Sequence, residues 1–324
     1  MGGRSEKEIQ SHKKMQVKLQ ELPEIFSEFY YYMYSNKSYT TIETYIAYVK
    51  EFATFVCGGK ITDTFYIKVR PSDINRYIAQ MRNIEKNGEC HRSSDSIRAT
   101  KWSAINTFFS YLEKNDYIKN NPVNKTERPT VQDHPEVAFL TEDEMHAILN
   151  NVKAKANKRM LNRDLALISL GLTTGLRVSA LVQINIQDID FDNNVIRVIE
   201  KRGKTCNALF GNNVKEYLVA WLEDRKKYFP AVNTDALFIS NYNDRMTRYG
   251  VGTILKKYSE GITNKNVTPH VMRHSCATNL YEKTGDIYLC ATVLNHQNVA
   301  TTQRYAEISQ AKKKSAANIL DNLI

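Results

Sequence analysis

Between positions 22 and 112, apolar residues recur three and four apart in the stretches EIFSEFYYYMYSN, TTIETYIAYVKEFATFV, SDINRYIAQMRNIEKN and SDSIRATKWSAINTFFSYLEKN, which predicts a set of amphipathic helices. In the second stretch Ile42, Tyr45, Ile46, Val49, Phe52 and Phe55 line one face, and Thr40 or Thr41 stands in place to cap it. Ser72 and Ser94 have the same starting role in the next two. Periodicity fails over NNPVNKTERPTVQDHPEV, which holds three prolines and reads as a linker. A second domain opens near Phe139 with a capping box, Thr141 followed by Glu144, and continues into a more apolar helix, RDLALISLGLTTGL. From Ile184 the pattern alternates through DIDFDNNVIRVIEKRGKTCNALF, predicting two or three short antiparallel strands with turns at Asn193 and Asn194 and at Gly203. Helices resume at Val214 and run to the end. The expected organisation is therefore a charged lead-in over 1–21, a helical domain over 22–119, a linker over 120–138 and a second domain over 139–324.

Charge changes this picture. The 45 lysines and arginines exceed the 35 acidic residues, and a net charge of +10 favours a polyanionic partner such as nucleic acid. The polar start, MGGRSEKEIQSHKKMQ, has no apolar core of a secretory signal, and no apolar run is long enough for a membrane span, so a cytoplasmic protein is expected. The five cysteines are scattered without a C-x-x-C pair, which argues for reduced thiols, most of them in cores.

Several motif likenesses fail on spacing. GKT at Gly203 to Thr205 lacks the earlier glycine of a phosphate-binding loop, because Val198 stands there. Asp188, Asp190 and Asp192 mimic the start of a calcium loop, but Asn193 and Ile199 occupy its glycine and glutamate positions. His270 and His274 have the spacing of a zinc protease, yet Val271 replaces the general-base glutamate, and no metal is expected.

Other groups suit phosphate chemistry in their local context. Arg177 ends an apolar helix in TTGLRVSAL, and Lys201 sits at the tip of the predicted hairpin; a solvated cap and a charged turn are the alternatives. In TPHVMRHS, Thr268 caps and Pro269 takes the first helical position, leaving free amides that favour an anion. His270 and Arg273, three apart, address one face, while His274 reads as packing. In LNHQNVATTQRYAEI, His296 precedes Tyr305 by nine residues.

In order and separation, TTGLR, the hairpin lysine, H-x-x-R-H, and L-x-H followed by a tyrosine resemble the tyrosine recombinases, which include phage-type integrases, Xer recombinases and conjugative-transposon integrases. The likeness extends from about Phe26 to the C-terminus. It implies a mainly α fold: a helical core-binding domain, then an α-rich catalytic domain with a small antiparallel sheet. It also implies Arg177, Lys201, His270, Arg273 and His296 as the pocket and Tyr305 as the nucleophile. Lys201 would protonate the leaving 5′-oxygen, His270 would assist proton transfer at the tyrosine, and His296 would donate to a phosphate oxygen or support Tyr305. No cofactor, metal or ATP is implied. The implied partner is double-stranded DNA with inverted-repeat core sites, bound by a two-domain clamp and by four subunits on two duplexes. Arg92, Arg98 and Lys101 on one side and Arg245, Arg248 and Lys256 on the other are the expected phosphate contacts, with solvated helix faces as the alternative. The tail KKKSAANILDNLI is expected to dock on a neighbouring subunit. Two positions depart from the family pattern: Ala180 replaces a usual glutamate, and Asn295 a usual glycine. A DNA-binding module without turnover, a type IB topoisomerase and a general polyanion binder are the competing readings.

Overall fold

The computed structural model describes residues 6–81, 84–86, 89–91, 93–130, 138–199 and 205–295. The chain divides into two compact units, Met1–His134 and Pro135–Ile324.

The first unit contains α1 (Glu6–Leu19), α2 (Glu24–Tyr34), α3 (Tyr39–Cys57), α4 (Pro71–Gln80) and α5 (Asp95–Lys114), with one antiparallel pair, β1 (Ile84–Lys86) and β2 (Glu89–His91). Its core is aromatic: Phe26, Phe29, Phe52, Phe108 and Phe109 are fully buried, and Phe65 stacks on Phe108. The charged lead-in holds a helix, α1, whose Met15 and Leu19 join this core. Ser94 caps α5 as the pattern predicts, its Oγ accepting from the Ile97 N–H at 3.3 Å. The starts of α3 and α4 differ. Ser38 caps α3, and α4 begins at Pro71, with Asp73 accepting from the Arg70 N–H at 3.0 Å, so neither Thr40, Thr41 nor Ser72 is the cap. The helix expected to continue past Gln80 gives way to β1 and β2, which pair Lys86 with Glu89 on either side of Asn87 and Gly88.

The second unit runs α6 (Glu142–Lys155), α7 (Leu161–Thr174), α8 (Val178–Leu181), β3 (Ile189–Asp190), β4 (Val195–Ile199), β5 (Thr205–Leu209), α9 (Asn212–Tyr228), α10 (Arg248–Ser259), α11 (Pro269–Thr284) and α12 (Ile287–Val293). The three strands form an antiparallel sheet in the order β3-β4-β5. Ile196 and Val198 of β4 and Ala208 of β5 point into the core, as a period of two requires. Apolar on nearly every side, α7 is the central helix, packed against α6, α9 and α11. Residues 229–247, within the stretch from Val214 onward that is expected to hold helices, are not helical; isolated bridges Asn185↔Ala236 and Ile239↔Arg245 order part of them. Among the described residues, no helix is long and apolar enough to cross a membrane.

Candidate active site

The TTGLR run forms a chain reversal. Helix α7 ends at Thr174, and Gly175 follows with φ 58°, its N–H closing on Gly171 O at 3.1 Å. A Cβ on Gly175 would lie 2.5 Å from Leu294 Cδ2 and 3.1 Å from Cys276 Sγ, so glycine is needed for both conformation and space. Arg177 is therefore not the last residue of the apolar helix, as expected, but the half-buried residue that leads into α8. The reversal, which the αL glycine permits, carries it past the end of α7.

The start of α11 is as predicted: Pro269 holds the first position and Thr268 Oγ1 accepts from the Val271 N–H at 3.3 Å. His270 is exposed in the first turn, whereas Arg273 is only 6% exposed. Its guanidinium donates to Gly175 O at 2.5 Å and to Leu294 O at 2.8 Å. One side chain thus joins the segment that presents Arg177 to the segment that leads toward His296. Packing repeats this connection, since Leu294, Cys276 and Ala277 form a small core against Gly175. Burial pushes the Cys276 thiol up to about 12 even with Arg273 nearby, and its Sγ–H donates to Thr173 O at 3.4 Å. It is a protonated packing group, in line with the reading of cysteines as core residues.

Asn295 lies at φ 51°, in the left-handed region. Asparagine tolerates that region better than other non-glycine residues, which gives a physical reason for its place where the resembling family has glycine. Ala180 is buried among apolar neighbours. Gly175, Leu294 and Cys276 escaped the sequence reading, although a glycine just past an apolar helix is itself a C-cap signal. Lys201, His296 and Tyr305 lie outside the described residues, as does Arg92. Among the described residues, no group of three His, Cys, Asp or Glu is arranged to hold a metal ion. The Asp190 carboxylate instead accepts from the Asp192 and Asn193 N–H groups, both at 3.0 Å, and its pKa is held below the usual range by the side-chain and backbone bonds from Asn193.

Of the expected phosphate contacts, three are committed elsewhere. Arg98 is buried and pairs with Asp95. Lys101 is buried too, with Nζ 2.5 Å from Glu51 Oε1 and lying over the rings of Tyr48 and Tyr77. Arg245 donates to Val182 O at 3.0 Å and to Asn185 Oδ1 at 2.6 Å, pinning the 229–247 segment to the chain after α8. In this structure these three side chains are each bonded within their own unit. Arg248 and Lys256 are exposed on α10.

Residues 138–312 match the phage integrase family. Over 296 residues the chain is 30% identical to tyrosine recombinase XerC of Leptospira interrogans, covering 90% of this chain and 91% of that protein. It is 31% identical over 215 residues to tyrosine recombinase XerD of Oceanobacillus iheyensis, covering 65% and 71%. In structure it is similar to the XerH site-specific recombinase in a post-cleavage complex with palindromic difH substrate, with a TM-score of 0.72, 20% identity, and coverage of 88% of this chain and 81% of that one. The Tn1549 transposon integrase in complex with a circular intermediate DNA gives a TM-score of 0.69 at 19% identity, covering 93% and 99%. At these identities the two structures bear on the fold alone, which is the mainly α fold with a small antiparallel sheet. The family match across most of the second unit, with the XerC identity across both units, establishes that the protein belongs to the phage integrase family and is a tyrosine recombinase, a site-specific recombinase of DNA.

Proposed function

We propose that this recombinase cuts and rejoins DNA through a 3′-phosphotyrosine at Tyr305, without a metal ion or ATP. The observation that supports the reading best is the bridge from Arg273 to Gly175 O and Leu294 O, which draws the TTGLR segment and the end of α12 to one place. Groups fixed in advance lose little reorganisation energy when charge develops on a phosphate.

In the proposed step the Tyr305 oxygen attacks phosphorus and the bond to the 5′-oxygen breaks. Lys201 gives a proton to that oxygen, and His270 assists removal of the tyrosyl proton. A free 5′-hydroxyl from another strand reverses the sequence, so the phosphodiester energy is kept in the protein–DNA bond. A phenol of ordinary pKa near 10 is ionised about once in a thousand at neutral pH, which is why the nucleophile needs cations or a base close by. Arg177 and Arg273 answer the charge on the non-bridging oxygens, and His296 donates to one of them or supports Tyr305. Double-stranded DNA with inverted-repeat core sites, four subunits on two duplexes, and docking of the tail after Tyr305 on a neighbour complete the reading, with integration, excision or resolution as the outcome. Lys256 and Arg248 serve as phosphate contacts.

The test is incubation with nicked or bridging-phosphorothiolate duplexes cut from the sequence flanking the gene, without metal or ATP. Wild type is expected to give a denaturation-resistant protein–DNA adduct, and Tyr305→Phe none. An adduct that survives in Tyr305→Phe overturns the assignment of the nucleophile. Relaxed circles without strand exchange indicate a topoisomerase.

A further inference from the structure

Four residues at the entrance to the second unit, Phe139, Leu140, Glu142 and Glu144, are fastened along α11 from the loop before it to its last turn. Both main-chain polar groups of buried Leu140 are satisfied by α11 side chains: its N–H donates to Ser275 Oγ at 2.8 Å, and its carbonyl accepts from Asn279 Nδ2 at 2.9 Å. Ser275, itself fully buried, donates its own hydroxyl to Val271 O at 2.8 Å. Upstream of α11, Glu144 accepts from Thr263 Oγ1 at 2.7 Å and from Lys265 Nζ at 2.6 Å, and the Lys265 ammonium lies 5.6 Å from the centre of the Phe139 ring. At the far end Lys283 pairs with Glu142.

The bonds to Ser275 and Asn279 hold the helix on the side away from its arginine. At 100° per residue, Ser275 stands about 200° around α11 from Arg273, and Asn279 shares the Ser275 face one turn on. Arg273 is fixed on one side by Gly175 and Leu294, and the opposite side is fixed by Leu140. Rotation or sliding of α11 would break either pair. The held segment is also the one through which the chain enters this unit from the first. A buried N–H and carbonyl bonded only to side chains have no backbone substitute, so losing a partner leaves the group unsatisfied or moves the segment.

We infer that Ser275 and Asn279 are positioning residues for the recombination reaction: by clamping Leu140 they set the rotation and height of α11, and so the placement of His270 and Arg273 at the phosphate. The inference rests on the reading of His270 and Arg273 as pocket residues. Neither Ser275 nor Asn279 touches DNA in this account. Their effect is on alignment, where a displacement of about 1 Å costs about a hundredfold in rate.

The experiment is single-turnover adduct formation by the full chain on bridging-phosphorothiolate duplexes from the flanking sequence, with the affinity for the same duplexes measured in parallel. For Ser275→Ala and Asn279→Ala the rate constant is expected to fall about 10- to 100-fold, while the final adduct yield and the affinity stay within about twofold of wild type. Ser275→Thr, which keeps the hydroxyl, is expected to restore most of the rate. A merely structural role predicts the reverse, a reduced yield from fewer folded molecules at an unchanged rate, and that result overturns the proposal, as does a wild-type rate in both alanine variants. Amide exchange over residues 271–279 gives a second readout, with faster exchange expected in Ser275→Ala at an unchanged rate elsewhere in the unit. If wild type itself forms no adduct, the proposed phosphotyrosine reading fails, and unchanged exchange in Ser275→Ala rejects the clamp separately.

Discussion

At the residue scale, the feature that most constrains the chemistry is the fork of Arg273. A planar guanidinium presents donors at fixed angles and so spans two carbonyls, Gly175 O and Leu294 O, that come from segments 119 residues apart in the chain (294 − 175). A lysine at the same position keeps the charge but has one nitrogen to serve both. Arg273→Lys is accordingly expected to slow adduct formation about a hundredfold, in the range seen for loss of one oxyanion donor, while duplex affinity changes far less. Single-turnover cleavage beside a binding titration separates the two effects; equal losses in both indicate that Arg273 acts in binding rather than in the reaction. Arg273 is singled out in the sequence because H-x-x-R-H is a local motif. Its partners are not legible, since they are carbonyls, which leave no trace in side-chain identity. Burial of Arg98 and Lys101 is hidden for a related reason. Whether a long cation points inward depends on a carboxylate elsewhere in the fold, here Glu51 for Lys101, and helical spacing carries no record of it.

At the scale of elements, local signals held wherever they were local in cause. The Thr141 and Glu144 box and the Thr268 and Pro269 start each depend on four consecutive residues, and both form as their sequences imply. The predicted hairpin region yields β3, β4 and β5 because alternation is likewise a short-range pattern. Helical spacing continues past Gln80 and into 229–247, but the chain pairs as β1 and β2 in the first case and is tied by the Arg245 bonds in the second. Glu144 links the capping of α6 to the approach of α11, and its ionisation makes that link depend on pH. Burial alone would raise its pKa, but the bonds from Lys265, Thr263 and the Thr141 N–H outweigh burial and hold the carboxyl below the usual value of 4.5. A depressed folded pKa means stability that is present above the unfolded pKa and lost as pH falls through the folded one. Thermal melting between pH 7 and pH 3 is therefore expected to show wild type losing stability below about pH 4.5, with Glu144→Gln less stable at pH 7 and losing less on acidification. Parallel curves for the two proteins would show that the carboxylate contributes nothing through its charge.

Over the whole molecule, a net charge of +10 states how many basic residues exceed acidic ones but not which of them meet DNA. The structure separates two kinds of cation. Lys101 and Arg98 are buried against Glu51 and Asp95, and releasing them to a phosphate would leave a carboxylate without its partner. Arg248 and Lys256 stand exposed on α10. Binding to phosphates releases condensed counterions, so each true contact adds close to one unit to the slope of log affinity against log salt. Measured on one duplex over a salt series, Arg248→Ala and Lys256→Ala are each expected to lower that slope by about 1 and to weaken different sequences alike. Lys101→Met is expected to leave the slope unchanged and to lower the melting temperature instead, because its buried side chain pairs with Glu51 and lies over the rings of Tyr48 and Tyr77. A lower slope in Lys101→Met would mean that the pair with Glu51 opens when DNA binds, and that the basic surface read from this structure is smaller than the one the protein uses.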